Sequence, residues 1–184
     1  SNVAPYFYSY VFQELEELLG PSLAREGNFA IETSLNLNLQ KASDRSLRES
    51  IAGDGARFGF SQGAVVTLDG NTGAIVAMSG GKDFKESQFN RAVQAQRQAG
   101  STFKTFAYLA ALNQGIHAGR SFRGAPVTGM GQRYRGCSGG GGSLTMVAGV
   151  ARSENLIGLR VEEAAGIDAV IDQAKTMGIK SELR

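Results

Sequence analysis

Apolar residues recur at helical spacing near the start of the chain. Phe7, Tyr10, Val11, Leu15, Leu18 and Leu19, stopped by Gly20-Pro21, predict an amphipathic helix over residues 6–19. Residues 29–35 alternate in the manner of a strand, and Leu39, Ala42, Leu47 and Ile51 predict a second helix over residues 37–51. The glycines of Gly53-Asp-Gly-Ala-Arg-Phe-Gly-Phe60 predict a loop. A hairpin follows: two runs rich in Val, Ile and Ala, residues 63–68 and 74–78, flank a turn at Asp69-Gly-Asn-Thr-Gly73. Runs of this kind suit strands covered on both faces, so the pattern predicts an α/β (α+β) domain with its sheet flanked by helices.

Beyond the polar residues 80–97 the pattern changes. From Gln98 to Gly119 the only formally charged side chain is Lys104, set among Phe103, Phe106, Ala107, Tyr108 and Leu109. A helix that is apolar nearly all round is a buried one. Residues 119–142 read as a long loop closing on the glycines at 139–142. Helices are predicted over residues 144–152, 156–165 and 167–177, with a break at Ser153-Glu-Asn155.

Composition narrows the chemistry. With 184 residues, 42% hydrophobic, 20% charged and a formal charge of +2, the chain can bury a full core and has no electrostatic pull toward nucleic acid. No run of about 18 apolar residues predicts a membrane span. The single cysteine, Cys137, sits in the glycine-rich loop and reads as structural or incidental. His117 is the only histidine and has no cluster of ligands around it, so neither a metal nor a cofactor is expected. Gly80-Gly81-Lys82-Asp83 lacks the earlier glycine and the Ser/Thr of a phosphate loop. Serine chemistry, if present, has to use lysine.

Ser101-Thr-Phe-Lys104 offers that pair, because residues three apart on a helix are neighbours. A lysine in an apolar interior has its charged form disfavoured and becomes a general base, able to take a proton from the serine. On the four residues alone, a serine capping a helix explains the pattern better. The same holds for Ser153 and Asn155, both good cap residues between two predicted helices.

The surrounding blocks decide between these readings. Ser-x-x-Lys followed by a Ser-x-Asn element belongs to the motif set of penicillin-binding proteins and serine β-lactamases. Ala4-Pro-Tyr-Phe7, Gln62-Gly-Ala-Val-Val-Thr-Leu-Asp69, Thr72-Gly-Ala-Ile-Val-Ala-Met-Ser-Gly-Gly81, Phe89-Asn-Arg-Ala92, Arg97-Gln-Ala-Gly-Ser-Thr-Phe-Lys104 and Ala151-Arg-Ser-Glu-Asn155 closely resemble the transpeptidase domain of class A, bifunctional penicillin-binding proteins. The departures are Ala99, where that family usually has proline, and Glu154 at the centre of the second element. The resemblance implies a penicillin-binding-protein/β-lactamase-like fold. It assigns residues 1–60 to a linker or packing region and residues 61–184 to the N-terminal part of the transpeptidase domain.

It also implies a function: cross-linking of peptidoglycan through an acyl-serine intermediate. Ser101 is then the nucleophile and Lys104 its base, Ser153 relays a proton to the leaving amine, and Asn155 bonds the substrate amide and Lys104. The implied partners are stem peptides ending in D-Ala-D-Ala and β-lactam antibiotics. The implied setting is the outer face of the bacterial cytoplasmic membrane, in a parent protein with a membrane anchor and a glycosyltransferase domain.

No Lys-Thr-Gly or Lys-Ser-Gly tripeptide, the family's source of the second oxyanion donor, occurs in the chain. The expectation is a fragment of low activity, whose hairpin keeps an open edge and self-associates. Two other readings stay open: a serine β-lactamase or penicillin-sensing relative, and a non-catalytic packing or partner-binding fragment.

Overall fold

A computed structural model describes residues 3–129, 132–134 and 142–183. The readings made for Cys137 and for the glycines at 139–141 lie outside the described residues. The chain divides into two compact units, with the boundary in sequence between Arg97 and Gln98.

In the first unit, α1 (Pro5–Leu19) opens with a proline at its start, a position where a missing N–H costs nothing. Gly20-Pro21 ends it as expected, yet the same proline opens a short α2 (Pro21–Glu26). The strand expected over residues 29–35 does not form. That segment runs extended along the hairpin instead, with Ser34 Oγ donating to the Ile75 carbonyl at 2.6 Å and Asn36 N–H to the Val76 carbonyl at 2.8 Å.

Asn36 then caps α3 (Leu37–Phe58), its side-chain oxygen accepting from the N–H groups of Asn38 and Leu39 at 3.0 and 3.1 Å. The helix does not stop at Ile51: it continues through the predicted glycine loop to Gly59, which takes φ +73° and closes it. Gly55 is needed for close approach, since a Cβ there would run into the Phe60 carbonyl. A glycine inside a helix costs about 1 kcal/mol, which such packing can offset.

The hairpin forms as predicted, β1 (Val65–Leu68) pairing antiparallel with β2 (Ile75–Ser79) and Val65 opposite Ser79. At its turn, Asp69 Oδ1 accepts from Asn71 N, Thr72 N and Thr72 Oγ1. Only part of the expected covering is present: Ala77, Met78 and Ser79 are buried, whereas Val66 and Leu68 are exposed. Phe7 and Ala4 pack on Met78, with Tyr10, Val11 and Ile75 around them.

The outer edge of β2 is not open. Gln40, 1% exposed, accepts from Met78 N–H at 2.8 Å and donates to the Met78 carbonyl at 3.0 Å, so its amide serves as one more peptide group on that edge. Its amide also donates to Asp44 and Ser79 Oγ, which donates to Asp44 in turn. Within the hairpin, the edge left without such a partner among the described residues is that of β1.

In the second unit, a 3₁₀ turn (Gly100–Phe103) leads into α4 (Lys104–Asn113). The long loop expected over residues 119–142 contains short strands: β3 (Ser121–Arg123), β4 (Val127–Gly129) and β5 (Gln132–Tyr134), the last two paired with each other. β3 pairs antiparallel with β6 (Ser143–Thr145), which occupies what read as the first turn of a helix. Three-residue strands are too short to show a period. Thr145 caps α5 (Met146–Ala151), and α6 (Asn155–Ala165) and α7 (Ile167–Thr176) follow close to the predicted bounds. Ala111 of α4, Phe122 of β3, Met146 of α5, Val161 of α6 and Val170 of α7 share one core. Among the described residues no helix is long and apolar enough to cross a membrane.

Two predictions follow from the first unit. Gln40→Leu leaves both backbone groups of Met78 without this partner, so urea unfolding should show a loss of about 1–3 kcal/mol, the cost of unsatisfied buried groups. The hydrogen bonds from Thr72 and Asn71 hold the Asp69 carboxyl below its ordinary value of 3.8. Their stabilisation is complete above that value and is lost as pH falls through the lowered one. Asp69→Asn should remove this acid sensitivity in a pH series of thermal melts.

Candidate active site

All four residues singled out by the sequence, Ser101, Lys104, Ser153 and Asn155, lie in the second unit. Ser101 does not cap a helix. It sits inside the 3₁₀ turn entered at Gly100, φ +58°, and its carbonyl accepts from the Lys104 N–H. In 3₁₀ geometry side chains at i and i+3 eclipse, so the turn places Lys104 directly over Ser101.

Capping fails for the second element too. The residue at the cap of α6 is Glu154, which makes no side-chain cap bond there, and Ser153 lies one place earlier at φ +50°. Left-handed φ is uncommon outside glycine, and a serine held there has been placed at some cost. Ser153 faces Lys104 twice: the Lys104 ammonium donates to its carbonyl at 2.7 Å and to its Oγ at 3.2 Å. A third bond runs to Asn155 Oδ1 at 2.6 Å.

The lysine is not in the wholly apolar interior that the sequence suggested. It is half-buried, its stem against α6 and its nitrogen among polar atoms. The stem is accommodated by Gly158, where a Cβ would lie 3.2 Å from Lys104 Cδ.

Three oxygens around one nitrogen suit two protonation states. An ammonium can donate to all three. A neutral amine can donate to Ser153 O and Asn155 Oδ1 while its lone pair accepts from the Ser153 hydroxyl, because a hydroxyl both donates and accepts. Nζ makes no hydrogen bond to Ser101 Oγ among the described residues, so the lysine is held from the Ser153 side of the site.

Ser101, Lys104, Tyr108, Val150 and Ser153 line a cavity of about 190 Å³. Lys104 and Asn155 also line a second one of about 300 Å³, with Phe103, Gly158 and Glu162. Burial pushes the Glu162 carboxyl above the usual carboxylate range. His117 is occupied locally, Nδ1 accepting from Gly119 N–H at 3.0 Å.

Residues 63–183 match the penicillin binding protein transpeptidase domain family. The chain belongs to that family. Its curated relatives include the penicillin-binding protein 1A of Rickettsia conorii, 40% identical over 129 residues, and that of Neisseria meningitidis serogroup A, 38% identical over 128. Each alignment covers 65% of this chain and 16% of the relative, so the chain spans only a small part of the relatives' length.

Among solved structures, the penicillin-binding protein PonA1 of Mycobacterium tuberculosis superposes with a TM-score of 0.76 at 30% identity, covering 94% of this chain and 45% of that one. Penicillin-binding protein 1A of Haemophilus influenzae gives 0.59 at 31%, over 65% of this chain and 19% of that one. The mixed α/β transpeptidase fold expected from the sequence blocks is the fold observed.

Sequence reasoning missed Gly149 and Gly158, which keep room for Ile157 and for the Lys104 stem. Gly149 and Gly158 carried a signal in being helix-interior glycines, which are disfavoured without a packing reason. Gly158→Val pushes a methyl group into the Lys104 stem, and it should lower covalent labelling by a penicillin about tenfold or more. Intact-mass kinetics check this, with Gly158→Ala as the milder comparison.

Proposed function

We propose that the chain is the N-terminal part of the D,D-transpeptidase domain of a class A penicillin-binding protein, residues 61–184, preceded by a packing region over residues 1–60. The reaction is peptidoglycan cross-linking through an acyl-serine. The observation that carries this reading is the convergence of Ser153 O, Ser153 Oγ and Asn155 Oδ1 on Lys104 Nζ, just after the 3₁₀ turn that holds Ser101.

The steps follow from the donors and acceptors present. Ser101 Oγ–H gives its proton to the neutral Lys104 amine, and Oγ attacks the carbonyl carbon of the penultimate D-alanine. The Ser101 N–H, at the positive end of a helix, stabilises the oxyanion that forms. The C–N bond to the terminal D-alanine breaks, and the proton passes from Lys104 through the Ser153 hydroxyl to the leaving amine. An amine of a neighbouring stem peptide then attacks the ester, returning the proton along the same route. Asn155 can accept from Lys104 while its amide N–H₂ donates to substrate.

A second oxyanion donor, which this family draws from a Lys-Thr-Gly strand, has no counterpart in the sequence. Lack of one such donor costs on the order of a hundredfold to a thousandfold in turnover, so the isolated chain is a weak catalyst. We place the parent protein at the outer face of the cytoplasmic membrane, with an anchor and a glycosyltransferase domain, acting on D-Ala-D-Ala stem peptides and trapped by β-lactams. We assign self-association to the β1 edge of the hairpin.

Against a hydrolytic β-lactamase stands the lining of the Ser101 cavity, in which no carboxylate takes part among the described residues. Incubation with benzylpenicillin followed by intact-mass and peptide mass spectrometry tests the reading. The expected result is a stable adduct on Ser101, absent in Ser101→Ala and formed at least a hundredfold more slowly in Lys104→Ala, as loss of a general base predicts. Adduct on another residue would overturn the assignment. Rapid loss of the adduct would favour the β-lactamase.

A further inference from the structure

The turn Ser153-Glu154-Asn155 alternates in exposure. Ser153 and Asn155 are exposed and meet Lys104, while Glu154 between them points inward and is only 6% exposed. Taking a carboxylate out of water costs several kcal/mol unless its surroundings compensate. A turn that served only to join α5 to α6 would not need one. Glu154 does not line the cavity that contains Ser101, so it is not placed to act on substrate or on water there.

Tyr108 of α4, one helical turn beyond Lys104 and on the same face, lines the Ser101 cavity together with Val150 and Ser153. Tyr108 is 6% exposed, and its hydroxyl is buried with no hydrogen-bond partner among the described residues. Burial raises the phenol above its ordinary value, and the charge of Glu154 raises it further. No other charge acts appreciably on that phenol among the described residues.

Packing holds the same spot from α5. A Cβ on Gly149 would lie 3.1 Å from the Tyr108 hydroxyl and would collide with Ile157 of α6. The turn is then tied by backbone bonds from Ser153 N–H to the Val150 carbonyl, Glu154 N–H to the Gly149 carbonyl and Gly158 N–H to the Glu154 carbonyl, at 2.9, 2.9 and 3.1 Å.

We propose that Glu154 and Tyr108 are positioning residues: a buried carboxylate and a buried aromatic ring that support the turn from beneath and keep Ser153 and Asn155 aimed at Lys104. Neither is assigned a step on the reacting atoms. Both act through the strained Ser153, whose carbonyl and hydroxyl must face one nitrogen together. The kinetic part of the test rests on the acylation reading; the structural part does not.

Amide hydrogen exchange on the 184-residue chain supplies the structural part. In Glu154→Ala the N–H groups of Ser153, Glu154 and Gly158 should exchange at least tenfold faster, while that of Val170 in the core of α7 changes less than twofold. Tyr108→Ala, which removes the buried ring, should show the same local pattern at about threefold, whereas Tyr108→Phe, which removes only an unbonded hydroxyl, should leave exchange within twofold. Glu154→Gln, which keeps shape and one acceptor, should restore most of the protection lost in Glu154→Ala.

Acylation by benzylpenicillin, separated into binding and bond formation, should show the bond-forming rate falling about tenfold in Glu154→Ala with non-covalent affinity within threefold. Unchanged exchange at 153–158 in both Glu154→Ala and Tyr108→Ala overturns the proposal. So does a uniform rise across the unit in Glu154→Ala with Tyr108→Ala flat at 153–158, which would make Glu154 a stability residue only. An unacylated wild type would sink the functional reading instead, and the exchange pattern would still decide this one.

Discussion

One ammonium group and three oxygens join the first turn of α4 to the turn before α6. Lys104 reaches across to Ser153 O, Ser153 Oγ and Asn155 Oδ1, and most of what is particular about the second unit serves that reach. The 3₁₀ start of α4 stacks Lys104 on Ser101. Gly158 gives its stem room on α6. Ser153 accepts a left-handed backbone so that two of its oxygens face the same nitrogen. A lysine held in this way is oriented in advance, which suits the base role proposed for it.

The first unit solves a related problem with a neutral group. The edge of β2 has peptide groups that need partners, and Gln40 brings a side-chain amide into the core to act as one. Asn36 adds a backbone donor and caps α3 in the same stretch. A hairpin with one strand edge closed in this way can pair further only along β1.

Much of this was legible in the chain. The α1, β1–β2, α4, α6 and α7 elements follow from periodicity, because each is long or apolar enough to show it. The continuation of α3 through Gly53 and Gly55 was not, since a glycine kept for close packing looks the same in sequence as one kept for a turn. Nor were β3 to β6, three residues each, which pair with distant partners and carry no period of their own.

At the site, the residue types and spacing of Ser101, Lys104, Ser153 and Asn155 pointed to chemistry only once the flanking blocks were read beside them. The environment of Lys104 was misjudged: apolar neighbours in sequence predicted an apolar pocket, but a residue 49 positions away supplies two of the nitrogen's three polar contacts. The inward turn of Glu154 could not be read at all, because alternation over three residues of a tight turn depends on backbone angles that the sequence does not display.

The central claim is geometric, and a high-resolution crystal structure of the 184-residue chain measures it directly. The account predicts Lys104 Nζ within hydrogen-bonding distance of Ser153 O, Ser153 Oγ and Asn155 Oδ1, with Ser153 at positive φ. A lysine turned out to solvent, or a Ser153 at ordinary negative φ with its hydroxyl capping α6, would contradict it.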